Sequence, residues 1–157
     1  MSEPQQPQQA TFQIEKIYVK DLSLELPNSP QVFVEQLQPQ LEVQVNTGFG
    51  QFAEAYYEVT VSATVTARAG ERTLFLAEAV QAGIFSLRNV GEEELKPLLA
   101  IACPTILFPY LRETISDLVT RAGFPPVLLT PISFEQLYLQ RLQEQEAGTG
   151  PRIEVAR

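Results

Sequence analysis

Alternation of apolar and polar residues predicts several β-strands in the first half of the chain. The clearest pattern covers residues 57–68, where Tyr, Val and Ala lie on one face and Glu, Thr, Ser and Arg on the other. A further strand is predicted over residues 11–26, where the alternation slips in phase. A slip of this kind indicates one or two β-bulges, each of which adds a residue to one strand.

Two more strands carry shorter or less regular patterns. Residues 41–46 alternate between apolar and polar side chains, and Gly48 and Gly50 are expected to mark the turn that follows. The strand predicted over about residues 73–86 has apolar side chains on both faces. Both faces of this strand therefore need cover from other parts of the protein.

Helices are predicted in the second half of the chain from their start and stop signals. Three glutamates after Gly91 indicate the first turn of a short helix. The main helix is expected to follow Pro109, to carry one apolar stripe and to end at Gly123, which precedes two prolines. A last helix is predicted from Ser133, which forms a capping box with Gln136.

Together these elements predict an α+β fold, a four-stranded antiparallel sheet with two main helices packed on one face. The second face of the sheet then has no partner within the chain. Packing it against another copy would contribute about 25 cal/mol per Å² of apolar surface buried. The pattern therefore predicts an obligate oligomer, either a dimer or a dimer of dimers. The alternative is that the short helix and residues 29–39 cover the second face.

The chain of 157 residues has the length of one domain. Residues 1–10 are expected to form a disordered arm and residues 147–157 a flexible tail, which leaves a single domain over residues 11–146. The glutamine- and proline-rich start does not have the pattern of a signal peptide. No later stretch is expected to reach the length of a membrane span, and a cytoplasmic location is therefore expected.

Composition argues against several classes of function. The formal net charge is −8 and the basic residues do not cluster, so nucleic acid and anionic lipid are not expected partners. The chain has no histidine, and its one cysteine, Cys103, is expected to be structural. These counts exclude a His-dependent catalytic triad, an intrachain disulfide and a thiolate metal cage. No metal ion, no cofactor and no enzymatic activity are therefore expected.

Two irregular segments carry apolar residues that are not all expected to be buried deeply. They are the connection at residues 29–39, with Phe33, Val34 and Leu37, and the proline-bounded loop at residues 127–129. Such segments beside a sheet could wall a groove that suits extended chains of variable sequence, because apolar burial and main-chain hydrogen bonds discriminate little between side chains. Ordinary loop packing is the alternative for each of these residues.

Three segments of the chain resemble the SecB family of protein-export chaperones. Residues 103–113 read CPTILFPYLRE, residues 11–33 read TFQIEKIYVKDLSLELPNSPQVF, and residues 81–87 read QAGIFSL. The resemblance extends in collinear order over about residues 11–145. It implies a four-stranded antiparallel sheet with two main helices, assembled as a homotetramer that is a dimer of dimers. It also implies an ATP-independent holdase that keeps precursor proteins unfolded in the cytoplasm and delivers them to the SecA motor.

The resemblance further implies a surface that binds the zinc-binding tail of SecA. The matching residues are Asp21, Glu25, Leu76 and Glu78. Asp21 and Glu25 are four residues apart on a strand, which places them on one face about 13 Å apart. Glu78 is the one charged residue on an otherwise apolar face. The alternative for a solitary carboxylate on a strand is a solvated edge or a device that sets the register.

Client and oligomer contacts are implied in the same way. The matching groove residues are Phe33 and Leu37, and more weakly Leu128, Phe134 and Leu137. Leu37 departs from the family, which commonly has tryptophan there, and this reduces the aromatic character of the groove. The residues that match the packing positions of the family's dimers are Ala77, Ala79 and Gln81, and their size suits close approach of two sheets.

Two other functions are left open by the residues themselves. The first is a related chaperone dedicated to a single partner, such as an antitoxin or one secreted substrate. The second is a carrier of a small hydrophobic ligand in an apolar groove. An enzyme is the weakest option, because carboxylate pairs such as Glu92 and Glu93 lack a companion nucleophile, base or cofactor motif.

Overall fold

Four long strands and one two-residue strand form a single antiparallel sheet. The computed structural model describes residues 8–146 and 155–156. The strands are β1 (Thr11–Glu25), β2 (Gln40–Ala53), β3 (Tyr56–Ala69), β4 (Arg72–Arg88) and β5 (Val155–Ala156). Their order across the sheet is β1-β4-β3-β2-β5. The predicted four-stranded antiparallel sheet is confirmed, and β5 adds a short strand at the edge of β2.

The irregular pattern of β1 comes from two β-bulges. The register of β1 against β4 shifts between Ile14 and Lys16 and again between Val19 and Asp21. Each shift returns the apolar residues of β1 to the face on which the helices pack. The phase slip in the sequence therefore predicted the bulges correctly.

Strand β2 continues through both glycines that were expected to end it. Gly48 pairs with Thr60 and Gly50 with Glu58, and the turn comes later, where Ala55 has a φ of 67°. Both glycines lie on the outer face of the sheet, which is the face away from the helices. A Cβ at Gly48 would lie 3.2 Å from the Thr60 hydroxyl oxygen, so the glycine gives room to a neighbouring strand. The prediction of a turn at Gly48 and Gly50 was therefore wrong, because both glycines pair with β3.

The helical part begins with one continuous helix of 30 residues, Glu92–Arg121. It consists of α1 (Glu92–Pro97), a π-helical segment (Leu98–Ala102) and α2 (Cys103–Arg121). Pro109 lies inside α2 on its exposed side, so the prediction that the main helix begins after this proline was wrong. Helix α3 covers Phe134–Glu146, and a 3₁₀ turn covers Gln31–Phe33. The predicted end at Gly123 is confirmed, because this glycine has a φ of 93°.

This continuous helix is long and apolar enough, by length and composition, to cross a membrane. The sequence analysis expected no such stretch, because it began the main helix too late. The apolar stripe of α2 packs on β3 and β4, where Leu107, Leu111, Ile115 and Val119 are completely buried. A core helix passes the same test, and this burial favours that interpretation of the helix.

The core lies between α2 and the inner face of the sheet, which is the face that the helices cover. The inner side chains of β3, among them Val59, Val61 and Val65, are fully buried. Helix α2 packs tightly on the sheet at Gly83 of β4. A Cβ on this glycine would lie 2.8 Å from the Phe85 ring and 2.9 Å from a Leu107 methyl group. Only glycine fits this approach without movement of the neighbours.

The outer face of the sheet combines polar side chains from β3 with apolar side chains from β4, as the patterns of these two strands predicted. The outer side chains of β3 are hydroxyl residues from Thr60 to Thr66, whereas β4 contributes partly buried apolar residues there. A surplus of apolar surface lies on the inner side of the edge strand β1, beyond the reach of α2. The exposed residues there are Phe12, Ile14, Val19 and Leu22, and this set is called the β1 strip below.

The ends of the chain lie largely outside the described residues. Residues 1–7, 147–154 and 157 are not described, so the predicted disordered arm and most of the predicted flexible tail are not tested. The main chain of Val155 and Ala156 pairs with Val45 and Gln44 of β2. These two residues form a short strand within the predicted flexible tail.

Replacement of Gly83 by alanine is expected to destabilise the fold by about 1–3 kcal/mol, because α2 must move away from β4 to accept the extra methyl group. Chemical denaturation monitored by circular dichroism measures this change. Gly50→Ala is the matched control, because no atom lies within 4 Å of a Cβ built there. Equal unfolding midpoints for the two variants would contradict the close contact at Gly83.

Candidate functional site

An apolar cavity opens between β2 and the loop that joins α2 to α3. Its volume is about 220 Å³. The residues that line it are Leu41, Val43 and Val45 from β2, and Val127, Leu128, Leu129, Thr130 and Ile132 from the loop. The segment of residues 127–132 is called the cavity loop below. Apolar side chains dominate both walls.

The wall on the side of β2 follows from the alternation of this strand. Leu41, Val43 and Val45 are every second residue and point to the inner face, where α2 does not reach. Val45 is buried, Val43 is partly buried and Leu41 is exposed, so exposure increases towards the start of the strand. The strand therefore presents an apolar row that the chain's own helices leave accessible in part.

The opposite wall is an extended chain between prolines. Pro125 and Pro126 end the helical region and Pro131 precedes α3, so the cavity loop takes an extended form. Its side chains alternate in burial: Val127 is 8% exposed, Leu128 71% and Leu129 5%. This alternation leaves Leu128 as the most accessible apolar side chain of the site.

Contacts with α2 hold the cavity loop in place. The Nε group of Arg112 donates a hydrogen bond of 2.8 Å to the carbonyl oxygen of Leu129. The guanidinium carbon of Arg112 lies 5.1 Å from the centre of the Phe108 ring. The Phe108 ring in turn meets the Phe134 ring edge to face, with 5.7 Å between their centres. The middle of the loop and the residue that begins α3 are thus anchored to one side of α2.

The residues expected to wall the client groove divide into three groups. Leu128 lines the cavity, as expected of a wall residue. Phe33 and Leu37 do not line this cavity: Phe33 is 47% exposed and stacks on Phe124 at 5.2 Å, and Leu37 packs partly buried against the core. A groove role for Phe33 and Leu37 stays a prediction.

Phe134 and Leu137 lie beneath the site rather than in its wall. Phe134 is 3% exposed, its ring packs on Phe108, and it does not line this cavity, so its role in a groove wall stays a prediction. Leu137 is partly buried against the core. The sequence analysis gave no role to the three β2 residues Leu41, Val43 and Val45, although their alternation was visible. What was missing was the knowledge that no helix within residues 8–146 covers this part of β2.

The four residues expected to bind SecA lie together on the outer face. In the register of β1 and β4, Glu25 is opposite Leu76, and Asp21 is opposite Val80. Glu78 lies between Leu76 and Val80 along β4. It accepts weak hydrogen bonds from the hydroxyl groups of Ser23, at 3.4 Å, and Thr64, at 3.5 Å. The set Asp21, Glu25, Leu76 and Glu78 is called the acidic patch below.

Comparison with known proteins identifies the family of this chain. The family model described as "Preprotein translocase subunit SecB" matches residues 5–145. The chain belongs to the SecB family. The sequence resemblance stated above is therefore confirmed.

Two similar proteins show how far this SecB-family chain agrees with named relatives. The protein-export protein SecB of Chromobacterium violaceum is 58% identical over 149 residues, which cover 94% of this chain and 99% of that protein. The protein-export protein SecB of Dechloromonas aromatica is 57% identical over 151 residues, which cover 96% of this chain and 99% of that protein. The similarity thus extends over nearly the whole length of this chain and of each relative.

A solved structure has the same fold. It is a SecB-like chaperone of Mycobacterium tuberculosis in complex with a ChAD peptide from the HigA1 antitoxin. The two structures superpose with a TM-score of 0.65 at 20% sequence identity, over 78% of this chain and 91% of that chain. The predicted fold class is confirmed by this similarity.

Beside the acidic patch, this SecB-family chain has a cluster that the sequence analysis missed. The Tyr18 hydroxyl donates to one carboxylate oxygen of Glu58, and Lys20 lies 2.6 Å from the other oxygen. Burial, together with the hydrogen bond to Glu58 and its charge, raises the pKa of Tyr18 to about 12. Hydrogen bonds from Lys20 and Tyr18 lower the pKa of Glu58. At neutral pH the cluster joins β1 to β3 as a protonated phenol, a carboxylate and an ammonium group.

The residues expected at an interface between SecB dimers face their own helix. Ala77, Ala79 and Gln81 are at most 4% exposed and lie on the inner face. Gln81 accepts a hydrogen bond of 3.1 Å from Thr114 of α2 and donates one of 3.2 Å to the carbonyl oxygen of Tyr18. Within the single chain, the small size of the two alanines serves the packing of α2. Any effect of these residues on assembly stays a prediction.

The chemistry of the remaining candidates is limited. Burial raises the pKa of the Cys103 thiol to about 12, so the thiol is protonated and a poor nucleophile at neutral pH. Within residues 8–146 and 155–156, no three His, Cys, Asp or Glu side chains come together in a group that could hold a metal ion. What this arrangement offers is binding surfaces, one apolar on the inner face and one acidic on the outer face.

Proposed function

We propose that this SecB-family chain, a protein-export chaperone, binds extended segments of unfolded precursor proteins in the cavity between β2 and the cavity loop. The observation that carries the proposal is an accessible apolar cavity beside a strand, with Leu128 71% exposed at its wall. Exposed apolar surface of this kind marks an interaction site. A native client hides its apolar side chains, so the site selects unfolded chains.

Such a holdase needs binding and no reaction. Binding of the unfolded state alone shifts the folding equilibrium of the client by mass action, without ATP. An apolar cavity discriminates little between side chains, which suits clients of variable sequence. No catalytic activity is proposed, and the proposed location is the cytosol, where precursors are available before export.

The size of the cavity favours a polypeptide client over a small hydrophobic ligand. Sites for drug-sized ligands have volumes of about 300–1,000 Å³ and enclose most of the ligand. This cavity has a volume of about 220 Å³, which suits one apolar side chain of a longer chain. General export is favoured over a dedicated partner, because relatives that are 57–58% identical over nearly their whole length are named protein-export proteins.

Delivery to SecA is proposed to use the acidic patch. The patch lies on the outer face of β1 and β4, whereas the cavity lies on the inner face of β2. The sheet separates the two sites, so SecA and a client can be bound at the same time. The exposed carboxylates of Asp21, Glu25 and Glu78 favour a basic partner segment, and this attraction is expected to weaken with salt.

A homotetramer, arranged as a dimer of dimers, is proposed for the assembly. The β1 strip is supporting evidence, because its side chains are 37–48% exposed in the single chain and lie on an edge strand. Pairing or packing with a second copy would remove this apolar surface from water and cover the open edge. Repetition of the cavity around the assembly would let one client bind at several points with increased avidity.

Leu128→Asp is expected to weaken binding of an unfolded precursor by about tenfold or more, because it removes an apolar contact and places a charge at the cavity. Fluorescence anisotropy of a labelled, permanently unfolded polypeptide measures the affinity. Leu139→Asp is the matched control, since Leu139 is 51% exposed but does not line the cavity.

Phe33→Asp, measured in the same assay, tests whether clients bind near Phe33 instead of at the cavity. A loss of affinity for Leu128→Asp but not for Phe33→Asp places clients at the cavity described here. The reverse result would move the groove to the Phe33 and Phe124 stack and contradict the proposal.

The double change Asp21→Lys and Glu78→Lys is expected to weaken SecA binding by about tenfold, because attraction becomes repulsion at two exposed positions. Client affinity is expected to stay unchanged, since the sheet separates the two sites. Calorimetric titration with SecA measures the first affinity, and the anisotropy assay the second. Glu113→Lys, an exposed change on α2, is the control. Equal losses of SecA and client binding would show that the acidic patch has no separate role.

The mass in solution is expected to be about four times the chain mass of 17.5 kDa. Val19→Asp with Leu22→Asp is expected to lower this mass, because two charges then lie in the β1 strip. Size-exclusion chromatography with light scattering measures both values. A wild-type mass equal to that of one chain, or an unchanged mass in the double variant, would contradict the proposed use of the strip.

A further inference from the structure

The guanidinium group of Arg112 connects the middle of the cavity loop to α2. Its Nε group donates to the Leu129 carbonyl oxygen at 2.8 Å, and its central carbon lies over the Phe108 ring at 5.1 Å from the ring centre. Phe108 and Arg112 are four residues apart, so they share one face of the helix. Arg112 itself is partly buried. A half-buried arginine held by a ring and a carbonyl group has little freedom to move.

We infer that Arg112 is a positioning residue for client binding: its hydrogen bond to Leu129 holds the cavity loop in the one register that keeps the cavity open. This inference rests on the proposed function of the cavity. Arg112 does not line the cavity, so its effect on clients acts through the loop.

The loop depends on this contact because it has little other main-chain support. Residues 125–133 lie in neither a helix nor a strand. Among the described residues, the main chain of residues 125–132 makes one hydrogen bond within the protein, and its donor is Arg112. Three of these residues are prolines and have no N–H group to donate. Hydrogen bonds with a charged donor are stronger than neutral ones, which makes this single tether effective.

The register of the loop decides which apolar side chains a client meets. In an extended chain successive side chains point in opposite directions. Here Val127 and Leu129 are buried while Leu128 is exposed. A slip of one residue would bury Leu128 and expose its two neighbours, as happens when a strand shifts its pairing. A bond to the carbonyl group of Leu129 fixes this choice.

Arginine suits the position better than lysine. The guanidinium group lies over the Phe108 ring and donates a hydrogen bond at the same time, whereas an ammonium group can make the hydrogen bond but cannot stack on an aromatic face. The Phe108 ring is itself held edge to face by Phe134, the first residue of α3. The loop is therefore anchored at its centre by Arg112 and at its end by Phe134.

The expected consequence is a preformed cavity. A loop held in its binding form loses less freedom when a client binds, which increases the affinity. Release of the tether is therefore expected to weaken client binding chiefly through faster dissociation. The fold as a whole is expected to change little, because the core under α2 does not include this bond.

The test uses Arg112→Gln, Arg112→Met and Arg112→Lys in the full-length chain. A labelled, permanently unfolded polypeptide is the probe, and stopped-flow anisotropy gives its affinity and dissociation rate. Gln and Met are expected to weaken binding by about tenfold through faster dissociation. Lys is expected to recover part of the loss, since it keeps a charged donor. Hydrogen exchange of the amides of residues 128–130 is expected to be faster in the Gln and Met variants.

Arg121→Gln is the matched control. Arg121 lies on the same helix but is 78% exposed and pairs with Asp117, one turn away. It is expected to change neither client affinity nor the exchange of the cavity loop. Melting temperature and assembly mass, measured for every variant, report any general loss of structure. Arg112→Met keeps the apolar part of the side chain and carries the test if the Gln variant does not fold.

Unchanged client affinity in both Arg112→Gln and Arg112→Met would overturn the inference. Faster exchange of the loop without any change in affinity would also overturn it, because the tether would then have only a structural role. The Leu128→Asp variant separates these results from a failure of the proposed function. If Leu128→Asp weakens client binding and the Arg112 variants do not, the cavity is the client site but Arg112 does not position it. If neither change affects client binding, both the cavity and the inference are refuted.

Discussion

The packing of α2 on β3 and β4 is the contact on which the other features depend. A helix is about 10 Å wide, whereas four strands spaced about 4.8 Å apart make a considerably wider sheet. One helix seated closely at Gly83 therefore covers the central strands and leaves β1 and β2 uncovered on either side. The β1 strip and the apolar wall of the cavity both result from this mismatch in width. A second large helix beside α2 would cover one of these two surfaces and leave the other.

The sheet also separates two kinds of surface. Its inner face carries apolar side chains that the chain itself buries only in part, and its outer face carries the acidic patch and the hydroxyl groups of β3. A chaperone in protein export has two tasks, since it must hold an unfolded chain and hand it on. Two chemically different surfaces on opposite faces of one thin layer suit this combination. The cavity loop is the least regular part of the site, and for that reason its contacts with Arg112 and Phe134 matter most.

Sequence reasoning succeeded where the determining interactions are local. The alternation of β3, the two bulges of β1 and the end of α2 at Gly123 follow from side-chain period and backbone freedom, and the structure confirms them. It failed where a distant part of the chain decides. Pro109 is tolerated inside α2 on the exposed side of the helix, and Gly48 and Gly50 pair with β3 rather than ending β2. That Asp21 and Glu78 lie on one surface was predictable only from the family resemblance, because the two residues are far apart in the sequence.

The sequence by itself determined the family, the α+β class, the order of the strands along the chain and the absence of histidine chemistry. Only the tertiary structure decided which apolar residues remain accessible. Leu128 and Leu129 are neighbours with the same side chain, yet one is 71% exposed and the other 5%. Local pattern does not distinguish them, because burial is a property of what lies opposite a side chain. In this protein, burial is set by α2, which covers the two central long strands, and by Arg112, which holds the cavity loop.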